Sequence, residues 1–247
     1  MNSSPSITAI VLAGGLGTRL RSVVFDRPKV LVRVGGKPFL HYILDQLSAC
    51  GTGNVILCCG YMGNQIEEEI GDSYGRISIS YSHEEQLLGT GGAVRNAIPL
   101  VNSRDILVMN GDSYIDIDLY EFLDWYLKED TVSAALVVNI VRNIAAFGSV
   151  VLSGDRKIIR FVEKTGINVP GNINAGVYMF RKKLFEDISI NTKFSLEREL
   201  FPRLASDGIL KAYPVDCGFI DIGTPDSFAG AETFFEQVKK KEIMNHV

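Results

Sequence analysis

The stretch Ile7-Thr8-Ala9-Ile10-Val11-Leu12-Ala13-Gly14-Gly15-Leu16-Gly17-Thr18-Arg19-Leu20 decides the fold, because an apolar, β-branched run ends abruptly in a cluster of glycines. Such a run reads as a strand, and the glycines as the tight loop it feeds. The same alternation continues outward. Pro38 opens a segment whose apolar positions Phe39, Ile43, Leu44 and Leu47 keep the helical period, and Gly51 closes it at the C′ position. A second strand is expected at Val55–Cys59, a helix near Gln65–Ile70, a strand at Ile77–Ser82 and a helix after Gly92. The strand Asp105–Met109 then runs into Asn110-Gly111-Asp112. Strand, helix, strand repeated this way predicts a largely parallel sheet covered on both faces.

From Val132 the chain is richer in strand, at Val132–Val141, Gly148–Leu152, Ile158–Val162 and Ala175–Phe180, with one helix near Glu197–Leu204 and a last one from Pro225 to Lys240. No Pro-, Ser- or Gly-rich linker separates the halves, and no solenoid-like repeat is visible. One α/β domain spanning residues 1–247 is expected, without a C-terminal β-helix.

The 247 residues, 46% hydrophobic and 22% charged, suffice for a sizeable core and exclude disorder, collagen and coiled coil. Lys+Arg 25 against Asp+Glu 29 leaves a net charge of -4, which gives no basic field for a nucleic-acid backbone. Lys239-Lys240-Lys241 reads as a solvated helix end. Cys50, Cys58, Cys59 and Cys217 form no C-x-x-C, and His41, His83 and His246 are scattered, so no zinc set is legible and reduced, buried thiols are expected. Met1–Ser6 carries no basic residue and Ile7–Ala13 is too short for a secretory or membrane segment, so a cytoplasmic protein with neither nucleic-acid nor membrane partners is expected.

Glycines let a backbone approach a phosphate and aim N–H groups at it, while Arg19 and Lys29 of Arg27-Pro28-Lys29 supply charge, so the first loop reads as a triphosphate cradle. A dinucleotide fingerprint would need its third glycine where Leu20 stands, and a P-loop fails because Gly36-Lys37 is followed by Pro38. Asp112 and Asp221 each end an apolar stretch near a glycine, where a pair of carboxylates suits Mg²⁺, although a lone Asp near Gly is more often a turn.

These residues resemble the sugar-1-phosphate nucleotidylyltransferases, whose signature looks like G-G-x-G-T-R-L followed by P-K. Leu88-Gly89-Thr90-Gly91-Gly92, Asn110-Gly111-Asp112, Glu163-Lys164, Asn174-Ala175-Gly176 and Asp221-Ile222-Gly223-Thr224-Pro225 extend the likeness over nearly the whole chain. Arg21-Ser22-Val23-Val24, Pro38-Phe39-Leu40 and the Glu-x-x-x-Leu-Gly-Thr-Gly-Gly-Ala segment look most like the branch that makes a GDP-sugar from GTP and D-glycero-D-manno-heptose 1-phosphate. Val30, Arg33 and Thr165 depart from many relatives, which bears on the shape of the pockets and not on the reaction class.

The resemblance implies a three-layer α/β/α Rossmann-like nucleotidyltransferase fold with a mixed, mostly parallel sheet. It implies nucleotide contacts from Leu12, Gly14, Gly15, Gly17, Thr18, Glu84, Gly89, Thr90 and Gly111, and a sugar-phosphate site at Gly148, Glu163, Lys164 and Asn174. Arg19, Lys29 and Lys164 would serve catalysis, Asp112 and Asp221 would hold Mg²⁺, and a homo-oligomer stays open. The Glu84 carboxylate, having only acceptors, suits the adjacent donors N1–H and N2 of guanine, whereas uracil or thymine would suit a glutamine. As one of the pair Glu84-Glu85 it also reads as a solvated charge, and an exposed Glu-Lys pair such as Glu163-Lys164 is common in any protein. The expected product is a GDP-sugar for a bacterial surface glycan. Alternatives are mannose 1-phosphate as acceptor, a uridylyl, thymidylyl or cytidylyl donor, a non-catalytic nucleotide-sugar-binding regulator, and a nicotinamide oxidoreductase, which Leu20 disfavours.

Overall fold

The computed structural model describes residues 7–20, 23–129, 132–145, 147–162 and 166–245. In chain order come β1 (Thr8–Leu12), the two-residue strands β2 (Arg33–Val34) and β3 (Lys37–Pro38), α1 (Phe39–Ala49), β4 (Asn54–Cys59), α2 (Gly63–Ile70), β5 (Ser73–Tyr74), β6 (Ile77–His83) and α3 (Gly89–Ala97). Then follow β7 (Asp105–Asn110), β8 (Ser113–Ile115), α4 (Leu119–Lys128), β9 (Ala134–Val141), β10 (Ser149–Leu152), β11 (Ile158–Val162) and β12 (Gly171–Arg181). A π turn at Leu196–Leu200 leads into α5 (Phe201–Ser206), and β13 (Leu210–Val215), β14 (Phe219–Asp221), α6 (Pro225–Ala229) and α7 (Ala231–Asn245) complete the order.

A ten-stranded sheet runs β11-β10-β12-β7-β1-β4-β6-β5, with β9 bridging β12 and β13. β7, β1, β4 and β6 are mutually parallel, while β12 lies antiparallel against β7. Successive side chains of β1 point to opposite faces: Ala9 and Val11 join a core with α1, α2, α4 and α7, and Ile10 joins the other with α3 and α5. Covered on both faces, the central strands bury unbroken apolar runs, which is why they were legible. Phe39, Leu40, Ile43, Leu44 and Leu47 of α1 are fully buried, each contributing roughly 1.5–3 kcal/mol. The result is the three-layer α/β/α architecture with a mixed, mostly parallel central sheet.

Several elements differ from the sequence expectation. The helix expected after Gly92 begins at Gly89. The last helix is two: Thr224 and Ser227 form a capping box that starts α6, and α7 restarts at Ala231. The helix near Glu197 opens as a π turn capped by Ser195, whose side chain accepts from the Arg198 N–H. α4, β8 and β13 were not expected. All four cysteines are free, but only Cys58 and Cys59 are buried, Cys50 and Cys217 being half-buried. Lys239, Lys240 and Lys241 are exposed on α7. Among the described residues no helix is long and apolar enough to cross a membrane.

The sheet order positions the site. From β1 the chain moves outward to β4 and β6, and α3 then carries it back to β7 on the other side of β1. Loops leaving the carboxyl ends of β1 and β7 therefore diverge around a crevice, where open α/β sheets bind ligands.

Candidate active site

A cleft of about 470 Å³ opens at that crevice, within the range of roughly 300–1,000 Å³ usual for small-molecule sites. Leu12, Gly14, Gly15, Gly17, Thr18, Arg19 and Lys29 line one side, Glu84, Gly89 and Thr90 another, and Asn110 and Asp112 also face it. The root of the first loop is tied down by the Ala13 N–H to the Cys58 carbonyl and the Gly111 N–H to the Leu12 carbonyl, both at 2.9 Å. Gly14 lies against Gly60, where a methyl would stand 2.9 Å from the Gly60 nitrogen, and Gly17 turns the loop with φ +59°. Gly15 faces open space.

Four charged side chains far apart in sequence converge here. The antiparallel β8–β14 ladder sets Asp221 opposite Ser113, the residue after Asp112, and the Ile222 N–H donates to the Asp112 carbonyl at 3.0 Å. Lys29, held in a 3-10 turn after Pro28, places Nζ 2.8 Å from Asp112 Oδ2 and 3.6 Å from Asp221 Oδ1. Its side chain is only 10% exposed, so the pairing acts in partly desolvated surroundings. Asp221 Oδ1 also accepts the Gly223 N–H at 2.6 Å. A methyl at Gly223 would stand 3.1 Å from Lys29 Nζ and 3.2 Å from Arg19 Nη2, which places both cations at one spot. Burial raises the Asp221 carboxyl above its ordinary pKa and the charge of Asp112 adds to this, against the opposing pull of Lys29 and Arg19.

Two carboxylates that both approach Lys29 at the edge of the cleft suit Mg²⁺, which takes one or two protein carboxylates and fills its octahedron with phosphate oxygens and water. Among the described residues no group of three or more His, Cys, Asp or Glu could hold a metal by itself, so the donor set fits a cation shared with a substrate.

On the opposite wall, Glu84 Oε2 accepts the Leu88 N–H at 3.2 Å, and burial raises its pKa. Thr90 lines the cleft with its hydroxyl already engaged: Oγ1 donates to Glu197 Oε2 at 2.6 Å and accepts from the Leu196 N–H at 2.9 Å. The first-turn N–H groups of Gly91 and Gly92 donate to the Phe194 carbonyl at 3.1 and 3.3 Å. Gly89, with φ +76°, carries an α-carbon on which a methyl would meet that carbonyl at 2.7 Å. The glycines of 89–92 thus seat segment 192–196, and only the Gly89-Thr90 edge reaches the cleft.

Gly111 does not line the cleft. It is buried, and a methyl there would stand 2.7 Å from the Leu12 carbonyl oxygen. Gly148 and Asn174 also lie outside the lining. The Gly148 carbonyl accepts the Asn174 N–H at 3.0 Å, while Asn174 Oδ1 accepts the Gly176 N–H at 3.0 Å and Nδ2 donates to the Tyr178 hydroxyl at 2.9 Å. These bonds fasten the irregularity of β12 against β9 between Asn174 and Tyr178. Glu163, Lys164 and Thr165 lie outside the described residues.

Sequence reasoning passed over two side chains. Asn110 lines the cleft with a buried Oδ1 that accepts no hydrogen bond among the described residues. Its place at the head of Asn110-Gly111-Asp112 was a usable signal. Glu197 accepts from both Thr90 and Ser195, at 2.6 and 2.8 Å, yet nothing in Glu197-Arg198-Glu199 separates it from a solvated helix start.

The family model described as Nucleotidyl transferase matches residues 8–238. A D-glycero-alpha-D-manno-heptose 1-phosphate guanylyltransferase of Aneurinibacillus thermoaerophilus is 38% identical over 224 residues, 91% of this chain and 96% of that protein. A mannose-1-phosphate guanylyltransferase of Mycobacterium tuberculosis is 36% identical over 225 residues, 90% of this chain and 62% of that longer protein. The crystal structure of HddC from Yersinia pseudotuberculosis complexed with GMP-PN superposes with a TM-score of 0.82 at 33% identity, covering 93% of this chain and 99% of that one. Motifs, sheet order and these matches agree, and the chain belongs to the nucleotidyl transferase family.

Proposed function

We propose that this protein transfers the guanylyl group of GTP to D-glycero-D-manno-heptose 1-phosphate, releasing pyrophosphate and forming a GDP-sugar for a bacterial surface glycan. The observation that carries the reaction class is the convergence of Arg19, Lys29, Asp112 and Asp221 beside the open face of Gly15. The donor and acceptor rest on the guanylyltransferase relatives and on the half-buried Glu84 carboxylate in the cleft wall.

A phosphate monoester has its second pKa near 6, so the attacking sugar phosphate is already ionised at neutral pH and needs no strong base. One of its oxygens forms a bond to the α-phosphorus of GTP as the bond to the bridging oxygen breaks, and the electron pair leaves on pyrophosphate. Catalysis is then positioning and charge neutralisation. Arg19 and Lys29 offset the charge of the departing pyrophosphate, and the resemblance assigns Lys164 to the attacking phosphate and Glu163 to the sugar hydroxyls, while Asn174, whose side chain is bonded to Gly176 and Tyr178, supports its own strand. The backbone of Gly15–Thr18 receives the phosphates, and Glu84 accepts from N1–H and N2 of guanine. Asp112 and Asp221 hold Mg²⁺, whose chemistry when bound is to neutralise phosphate charge. Lys29, between the two carboxylates, keeps them from repelling one another before substrate arrives. GTP as substrate places the enzyme in the cytoplasm.

A second reading, mannose 1-phosphate as acceptor, is favoured by the Mycobacterium relative. A non-catalytic regulator has no use for all four charged groups. The test is mass analysis of the nucleotide sugar formed from GTP with either acceptor. Faster formation of GDP-heptose is expected, and faster formation of GDP-mannose would replace the acceptor while leaving the reaction intact.

A further inference from the structure

A second group of charges lies at the other end of the same strands. Arg104 precedes β7, Ser133 precedes β9, and Arg181 closes β12 where Lys182 and Lys183 open a 3-10 turn ending beside Glu186. Because β12 runs antiparallel to β7 with Arg181 opposite Asp105, these side chains gather away from the cleft. At a strand rise of roughly 3.3 Å per residue, Arg104 is about 20 Å from Asn110. Arg104, Ser133, Arg181, Lys182, Lys183 and Glu186 enclose a pocket of about 250 Å³.

Four cations there face one lining carboxylate, in a protein whose net charge is -4. Arg181 Nε stands 3.4 Å from the buried Asp105, which also accepts from the Tyr126 hydroxyl at 3.1 Å. Lys182 Nζ donates to the Val101 carbonyl at 3.2 Å and lies 3.8 Å from Glu186. Asp105 and Glu186 therefore answer Arg181 and Lys182, whereas Arg104 and Lys183, both exposed, make no ion pair among the described residues. The fold holds the bases of these residues rigidly: the Lys182 N–H donates to the Arg104 carbonyl and the Arg181 N–H to the Ser133 carbonyl, each at 2.9 Å.

We infer that this pocket is a binding site for a phosphate-type oxyanion, separate from the reaction cleft. Guanidinium forks match two oxygens of a phosphate at once, and lysines add mobile point charges, so Arg104 and Lys183 meet the anion while Arg181 and Lys182 form the floor. The pocket has about half the volume of the cleft and suits orthophosphate or pyrophosphate, not a nucleotide.

The probe is inorganic phosphate, titrated into the full chain at constant ionic strength with chloride as the competing anion, and read by amide chemical shifts. Saturable shifts at Arg104, Ser133 and Lys183 are expected, and these should persist in Lys29→Ala. In Arg104→Gln/Lys183→Gln the Kd for these shifts should rise at least about tenfold, as loss of charge-assisted hydrogen bonds does. The single change Arg104→Gln should weaken binding several-fold if the double variant folds poorly. Pyrophosphate titrated into Lys29→Ala identifies which oxyanion binds more tightly. Shifts confined to the cleft, a Kd indifferent to both variants, or an equal loss in a Lys239→Gln/Lys240→Gln control would overturn the inference.

Discussion

Two glycine-rich segments border the cleft, Gly14–Gly17 after β1 and Gly89–Gly92 at the start of α3, and they do different work. In the first, Gly15 has open space before it and Arg19 and Lys29 stand beside it. In the second, the glycines make room for protein: a methyl on Gly92 would meet the Thr192 carbonyl oxygen and Leu88 Cβ at 2.5 Å, and the Phe194 carbonyl takes the N–H groups that could have met an anion. The same residue type leaves open space at Gly15 and permits close packing along Gly89–Gly92. Only the cations nearby and the open volume tell them apart.

The largest effects are expected where charge meets the first segment. Asp112→Asn or Asp221→Asn should lower turnover about 10³-fold or more, since the charge stabilisation offered by a held metal ion is worth several kcal/mol. Activity against Mg²⁺ concentration checks this, and a variant with normal turnover at low Mg²⁺ would show that its residue is not a ligand. Lys29→Ala and Arg19→Ala should each lower kcat on the order of 10²- to 10³-fold with the fold intact, as removal of one preorganised contact does. Steady-state kinetics with circular dichroism separates the two effects. Equal damage from changes at Arg95 of α3, which is not in the cleft lining and donates to the Ile188 carbonyl, would erase the distinction between the segments.

A matched pair of glycine substitutions sharpens the contrast at lower amplitude. Gly92→Ala should cost about 1–3 kcal/mol through overpacking against the Thr192 backbone, read as a fall of about 2–4 °C in Tm per kcal/mol. Gly15→Ala should leave stability within about 0.5 kcal/mol while raising KM for GTP several-fold. Thermal unfolding and KM measured on both variants decide it, and similar profiles would mean that both segments pack or both bind.

The sequence made the parallel half of the sheet legible because each central strand is buried on both faces and reads as an unbroken apolar run. It hid α4, where Leu119, Phe122, Leu123 and Tyr126 are buried but Tyr120, Trp125 and Leu127 blur the helical period with further apolar side chains. It hid the β8–β14 ladder because three residues a side leave no window for periodicity, and that ladder is what brings Asp221 to Asp112. Within the candidate site, Arg19 and the two aspartates stand near glycines in the sequence and Lys29 follows Pro28, and the structure brings these four side chains together. Glu197 was not legible, because its role is set by a hydrogen bond to Thr90 across the fold.

The cleft wall at Glu84 carries its own pH signature. Burial holds the Glu84 pKa above that of a free glutamate, and only the ionised carboxylate is a pure acceptor. As pH falls through that raised pKa, kcat/KM for GTP should decline earlier than an exposed glutamate would allow, and Glu84→Gln should lose this limb of the profile.

The most direct measurement is kcat/KM for pyrophosphate release with GTP, ATP, UTP and CTP at a fixed sugar 1-phosphate, in the wild type and in Glu84→Gln. A guanylyltransferase whose base is read by Glu84 should favour GTP, and the substitution should cut that preference about ten- to a hundredfold, as loss of a charge-assisted contact worth roughly 1.5–3 kcal/mol would. Preference for another nucleotide in the wild type, or release from none of them, would contradict it.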